Sequence, residues 1–282
     1  MLLIMRRQRL SAMLMCLLPL AIGAALASSL LAAPPPEWLK GTYEERLKAI
    51  RHSGPADAAA LEDFLSAKAE SVGVKADELN ALKNEAGMTL MALPALPTDL
   101  ARRFLTMAGD PTGDLTWRDY CVQFLGMGFA RWAAEDKRAV ATFLVGVAQK
   151  GKGATGGTAL IALANNVQAP EVGADRVGAL ALAAVRDAAY GDGGRASAVQ
   201  VCARLNVAAA LSEARSLAVS LSTPGVLRGA AIAALGMLGD RSDEPALKEL
   251  AKAGDPRIRV PAAAAIKRIE ERLSNRKPGV RS

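Results

Sequence analysis

Residues Thr223–Leu273 read TPGVLRGAAIAALGMLGDRSDEPALKELAKAGDPRIRVPAAAAIKRIEERL, one structural unit followed by the start of its copy. A shift of 31 positions lays Arg228 on Arg259, Ala231 on Ala262, Ala234 on Ala265, Leu235 on Ile266 and Leu238 on Ile269, like on like each time. That period belongs to helical repeats. Within each copy the apolar residues recur at i, i+3, i+4 and i+7, which marks one face of a helix, and Thr223-Pro224 or Asp255-Pro256 breaks the chain before it. A second, shorter helix is expected between the copies at Glu244–Lys252. Ala231, Leu235, Leu238, Ala262, Ile266 and Ile269 are the expected core of this region.

The same frame runs backwards through the chain. The Arg position recurs at Arg228, Arg195, Gly156, Arg118 and, weakly, Lys83, with Ala or Cys three residues later each time. Six units fit, and the longest spacings, 38 and 39 residues, lie on either side of Gly156. Second helices are expected over Thr98–Met107, Glu135–Lys150, Glu171–Asp187, Ala208–Leu221 and Glu244–Lys252. Before the array, Glu37–His52 and Ala56–Glu70 read as a charged capping pair, with Ala60, Phe64 and Ala67 facing inward. The whole 282-residue chain is 51% hydrophobic but only 4% aromatic, which suits helices stacked on small side chains and points to an all-α fold.

Arg6, Arg7 and Arg9 precede an uncharged apolar run, Leu10–Ala33, the pattern of an export segment. Two readings stay open. Residues 1–27 form a signal peptide cut after Ala25-Leu26-Ala27, or the run to 33 remains as a membrane anchor. Either places the array, residues 34–273, in the periplasm or outside the cell, leaving 274–282 as a basic flexible tail. Three of the 35 cations lie in the leader, leaving 32 against 28 acids, and eight of those 32 fall between Pro256 and Ser282. A nucleic-acid groove needs cations spread along its length, so no nucleic-acid partner is expected; weak contact of the basic C-terminus with an anionic membrane is.

Asp255-Pro-Arg-Ile-Arg-Val-Pro-Ala-Ala-Ala-Ala-Ile-Lys-Arg-Ile269 resembles the HEAT repeat, especially the short bacterial HEAT-like type also seen in phycobilisome lyases. The resemblance implies an α-solenoid of about six helix pairs. It also implies that Asp114/Arg118, Asp192/Arg195 and Asp255/Arg259 brace neighbouring units, the Asp capping a helix and the Arg lying one turn inside. Gly156 replaces the Arg and Thr223 the Asp, so the bracing is expected to be interrupted there. By the same likeness, second helices line the concave face, placing Glu135, Asp136 and Arg138 at a groove edge.

Chemical signatures are few. Gly151-Lys-Gly-Ala-Thr-Gly156 is a literal G-x-G-x-x-G, but a dinucleotide motif needs a strand running into its first glycine, and Lys137–Lys150 is in phase as a helix. A nucleotide or bilin site at Gly151–Thr158 is therefore the alternative reading, and an inter-unit turn the preferred one. One histidine, His52, expected at the surface near a helix end, supports neither a metal site nor a catalytic triad. Cys121 and Cys202 are expected as buried free thiols. No catalytic residue, metal or cofactor is expected.

Six of the eleven aromatic residues fall between Trp117 and Phe143, among charged residues. Phe124 and Phe143 lie on inward stripes. Trp117, Arg131, Trp132 and Arg138 are the expected contact residues of a protein partner, since Trp and Arg dominate interface energetics. The expected function is that of an exported, non-catalytic scaffold or adaptor.

Overall fold

A computed structural model describes residues 40–151 and 153–275. The leader, the Pro34–Pro36 spacer and residues 276–282 of the expected tail, with the expectations attached to them, lie outside the described residues, whereas Ser274 and Asn275, expected in that tail, belong to the last helix. Fourteen α-helices and five short 3-10 turns make up the described chain, with no strand among the described residues. In order they are α1 Tyr43–Arg51, α2 Ala58–Phe64, α3 Ala69–Val72, α4 Ala76–Ala92, α5 Leu100–Gly109, α6 Leu115–Met127 and α7 Ala134–Lys150. Then follow α8 Ala154–Asn165, α9 Ala174–Arg186, α10 Gly191–Arg204, α11 Leu211–Val219, α12 Gly225–Leu238, α13 Glu244–Leu250 and α14 Pro256–Asn275. None of the described helices is long and apolar enough to cross a membrane.

The helices alternate in role. The first helix of each unit packs on the first helix of the next, in the order α1, α4, α6, α8, α10, α12, α14, and each second helix from α5 to α13 packs on the first helix that follows it. Small residues set the closeness of this stacking: a Cβ on Gly126 would lie 2.5 Å from Ala162 Cβ, and one on Gly236 would lie 2.8 Å from Ala265 Cα. Alanine abundance is thus a packing requirement, because larger side chains at these contacts would push the helices apart.

Two sets of side-chain bonds tie the units together. In the first, a residue of one unit closes the carbonyl end of the preceding first helix. Thr89 Oγ1 donates to Ile50 O at 3.2 Å, Arg131 to Met91 O at 2.6 Å, Asn166 Nδ2 to Gly126 O at 3.0 Å, and Arg272 to Met237 O and Gly239 O. These are the acceptors that a helix C-terminus leaves unpaired. In the second, Arg118, Arg195 and Arg228 each donate Nε to the carbonyl ten residues upstream, on Ala108, Val185 and Ala218, at 3.1, 2.9 and 2.9 Å. Each acceptor is the penultimate residue of the preceding second helix. Arg259 departs from this, reaching Ala253 O and Gly254 O at 3.4 and 3.3 Å.

Ion pairs also join successive second helices: Arg103 to Glu62 at 3.2 Å, Arg102 to Asp136 at 3.6 Å, Arg186 to Glu213 at 2.5 Å and Arg215 to Asp243 at 2.7 Å. Asp136 and Asp243 are buried, so these two pairs are better shielded from solvent than most surface pairs.

Several expectations need correction. The capping pair's second helix breaks into a 3-10 turn, α2 and α3, and Ala60 is exposed. The buried stripe is Leu61, Phe64 and Leu65, whose larger apolar surface sets the rotation of α2. Asp114 caps α6 through Trp117 N at 3.0 Å, and Asp255 accepts from Arg257 N at 2.9 Å, but Asp192 lies exposed inside the first turn of α10. Leu238 and Ile266 are half-buried, whereas Ala231, Leu235, Ala262 and Ile269 are core. Cys121 and Cys202 are buried free thiols, and exposed His52 caps α1.

Candidate functional site

The four residues expected to hold a partner do not form one surface. Trp132 is buried at 5% exposure, and its Nε1 donates to Leu125 O at 3.0 Å. The indole fills the space beside Gly128, where any Cβ would collide with the ring. Its place in a turn suggested exposure; the glycine opposite it is what lets the ring fold inward. Trp117, also 5% exposed, lies on the core side of α6 with Phe124, their ring centroids 6.4 Å apart. Arg131 spends its guanidinium on Met91, Leu93 and Pro94 carbonyls at 2.6, 2.5 and 3.1 Å, which closes α4. Only Arg138 is exposed with its side chain in no hydrogen bond or ion pair among the described residues. Of its expected companions at the groove edge, Glu135 is exposed and Asp136 buried.

The glycine-rich loop is a packing device. Gly151 N donates to Val147 O at 2.6 Å and Gly153 N to Ala189 O at 3.1 Å, so two of the amides that a phosphate would need are already committed. Gly153 has φ +71°, and a Cβ on Gly156 would lie 2.7 Å from Tyr190 Cε1. The motif's last glycine therefore makes room for Tyr190, and the segment before it is helix α7 rather than a strand.

On another side of the same loop a groove of about 500 Å³ runs between α6 and α7. Its walls include Leu115, Val122, Phe143 and Val147, with Lys150 and Thr155 at one end. Leu115 is 72% exposed, and Phe143, expected in the core, is half-buried in the groove wall. Gly146 leaves the floor open, since nothing lies within 4 Å of a Cβ placed there.

A second cavity, about 560 Å³, opens where α2 and α3 fail to form one continuous second helix. Lys83 of α4 and Trp117 of α6 line it, with Leu65, Leu79 and Met107 as apolar walls. Lys83 is 6% exposed, and its Nζ lies 5.2 Å from the Trp117 ring centroid, within cation–π range. It makes no hydrogen bond or ion pair among the described residues. Burial pushes the Lys83 amine below the usual lysine range, against the opposing pull of Cys121 and Asp114. Trp117 Nε1 is buried without an acceptor. Asn80, also buried, donates to Asp114 Oδ1 at 2.8 Å. In the repeat frame Lys83 stands as a weak copy of the bracing Arg. Its signal is that substitution itself: a shorter-reaching, single-headed cation stands where its counterparts bind a carbonyl.

Comparison of the chain with family models, with curated proteins and with solved structures finds no match.

Proposed function

We propose that this chain is a HEAT-like α-solenoid that works as a non-catalytic scaffold, holding a partner protein in the groove between α6 and α7. The stacking of first helices, the carbonyl braces ten residues apart and the cross-unit caps favour a repeat array, in which each unit contacts its neighbours and the surface is long and rigid. The observation that carries the binding site is Leu115, 72% exposed on a groove that Phe143 and Val147 also line. A soluble surface rarely keeps such apolar side chains together without a use. Lys150 at the groove's end suits a partner segment bearing an apolar anchor and an acidic side chain beside it. The reading includes export by the 1–27 leader, or anchoring through residue 33, so that the partner is met outside the cytoplasm.

The test is capture from the native envelope fraction by the wild-type chain and by a Leu115→Asp/Phe143→Ala variant. A saturable complex with the wild type that the variant loses, with the helical content of the variant intact, supports the reading. Equal binding by the variant, or no saturable complex with the wild type, overturns it.

A further inference from the structure

We propose that the cavity between α3, α4, α5 and α6 binds a small monocarboxylate, whose carboxylate sits against the Lys83 ammonium and whose apolar body lies along Trp117, Leu79 and Met107. Arg118, Arg195 and Arg228 occupy the corresponding place in later units, and each is bound to a carbonyl ten residues upstream. Lys83 has no such bond and is more than nine-tenths buried at the cavity wall. A buried cation with no carboxylate in ion-pair contact is costly, and an aromatic face and the nearby Asp114 offset only part of that cost. A bound carboxylate removes it.

The rest of the lining sets the ligand's class. Lys83 is a donor-only group with no hydrogen bond or ion pair among the described residues, so the group it lacks is an acceptor. Asp110 and Asp114 also line the cavity, each already engaged: Asp110 accepts from Thr112 N at 2.8 Å, and Asp114 holds Asn80 and the α6 cap. Glu70 and Lys68 line the cavity as well, so three carboxylates stand against two lysines, a lining that tolerates a single negative charge at Lys83 and repels a second. The cavity therefore favours a monocarboxylate over a dicarboxylate or phosphate, and its leucine and methionine walls favour an apolar body over a sugar.

The experiment is calorimetric titration and thermal unfolding of the full chain with sodium benzoate and sodium hexanoate, beside benzamide, succinate and inorganic phosphate. Lys83→Met keeps the side chain's length and removes a buried charge, so this variant retains the fold. Saturable binding of benzoate or hexanoate by the wild type, weakened at least tenfold in Lys83→Met and at least tenfold tighter than benzamide or succinate, supports the proposal. Three results overturn it: no binding of either monocarboxylate, equal affinity in Lys83→Met, or phosphate, succinate or benzamide binding as tightly as benzoate. The outcome is separate from partner capture, because Leu115 and Phe143 are no part of this cavity.

Discussion

The Tyr190 hydroxyl donates to the Ala148 carbonyl, near the end of α7, from a ring packed against Gly156. Gly156 occupies the unit position that holds Arg118, Arg195 and Arg228 elsewhere. Those arginines reach back from their own helix to the preceding second helix, whereas here the donor comes from the turn before α10 and crosses the space a Cβ would fill. The interrupted bracing expected from the missing Arg is thus bridged by a residue of the following unit.

Tyr190→Phe should keep the ring packing and leave Ala148 O without its donor, lowering stability by about 1–3 kcal/mol. Gly156→Ala should cost at least as much, because the new methyl meets Tyr190 Cε1 at 2.7 Å and displaces the ring that carries the hydroxyl. Urea midpoints of the two variants and their double variant check this. If the double variant loses the full sum of the two single losses, the two residues do not act through one contact.

The arginine braces give a second, graded prediction. Arg195→Ala and Arg228→Ala each remove a 2.9 Å bond to a helix-terminal carbonyl and should cost about 1–2 kcal/mol, more than Arg259→Ala, whose contacts are 3.3 and 3.4 Å. Equal losses at all three positions in thermal or urea unfolding would show that the offset of ten residues carries no energetic weight.

Part of this pattern is legible in the order of residues. Periodicity from Thr223 to Leu273 locates α12, α13 and α14 to within a few residues, because every unit must bury a stripe against its neighbours and that stripe is written in small and branched apolar residues. The Arg position is legible too, but its acceptor is not, since a carbonyl has no signature in side-chain order. Trp132 shows the opposite limit: composition marks it as an interface residue, and only the empty place at Gly128 turns it inward. Lys83 is hidden for a related reason. Its lack of a partner is a property of three helices together, and no local pattern records it.

Lys83 should make stability depend on pH in a defined direction. Burial lowers its folded pKa below the usual 10.5, so between the two values the unfolded chain holds the extra proton. Stability then rises with pH across that window. The destabilisation is complete below the folded pKa and vanishes above about 10.5, where the amine is neutral in both states. Lys83→Met should therefore exceed the wild type in urea midpoint at neutral pH, and the gap should close as pH approaches 10.5. A gap that is constant with pH would mean that the amine is not desolvated in the fold.

Trp132→Ala should destabilise the chain by about 3–5 kcal/mol, as expected for deleting a buried aromatic side chain. Trp132→Phe should recover part of that loss while leaving Leu125 O without its indole donor. The measurements are chemical unfolding and tryptophan fluorescence, whose native emission should be blue-shifted by the buried indoles at Trp117 and Trp132. Little change in stability on Trp132→Ala would return Trp132 to the surface.

Two of the three cysteines, those among the described residues, carry the last prediction. Cys121 and Cys202 are both 0% exposed, on first helices α6 and α10. Burial pushes the Cys202 thiol up to about 12, with Glu213 adding to the rise, and burial raises Cys121 further despite the opposing pull of Lys83. A thiol reacts as its thiolate, so at pH 8 neither has an appreciable reactive fraction, and neither presents its sulfur to a reagent. A Cys16→Ser chain, which carries these two thiols alone, should thus leave both unmodified by Ellman's reagent over hours and release them on unfolding in urea. Because the two thiols sit in different units, graded urea can order the units' opening: the unit that opens first exposes its thiol first. Simultaneous exposure of both at every urea concentration would show that the array unfolds as one cooperative body, and rapid reaction of either thiol without urea would contradict its burial.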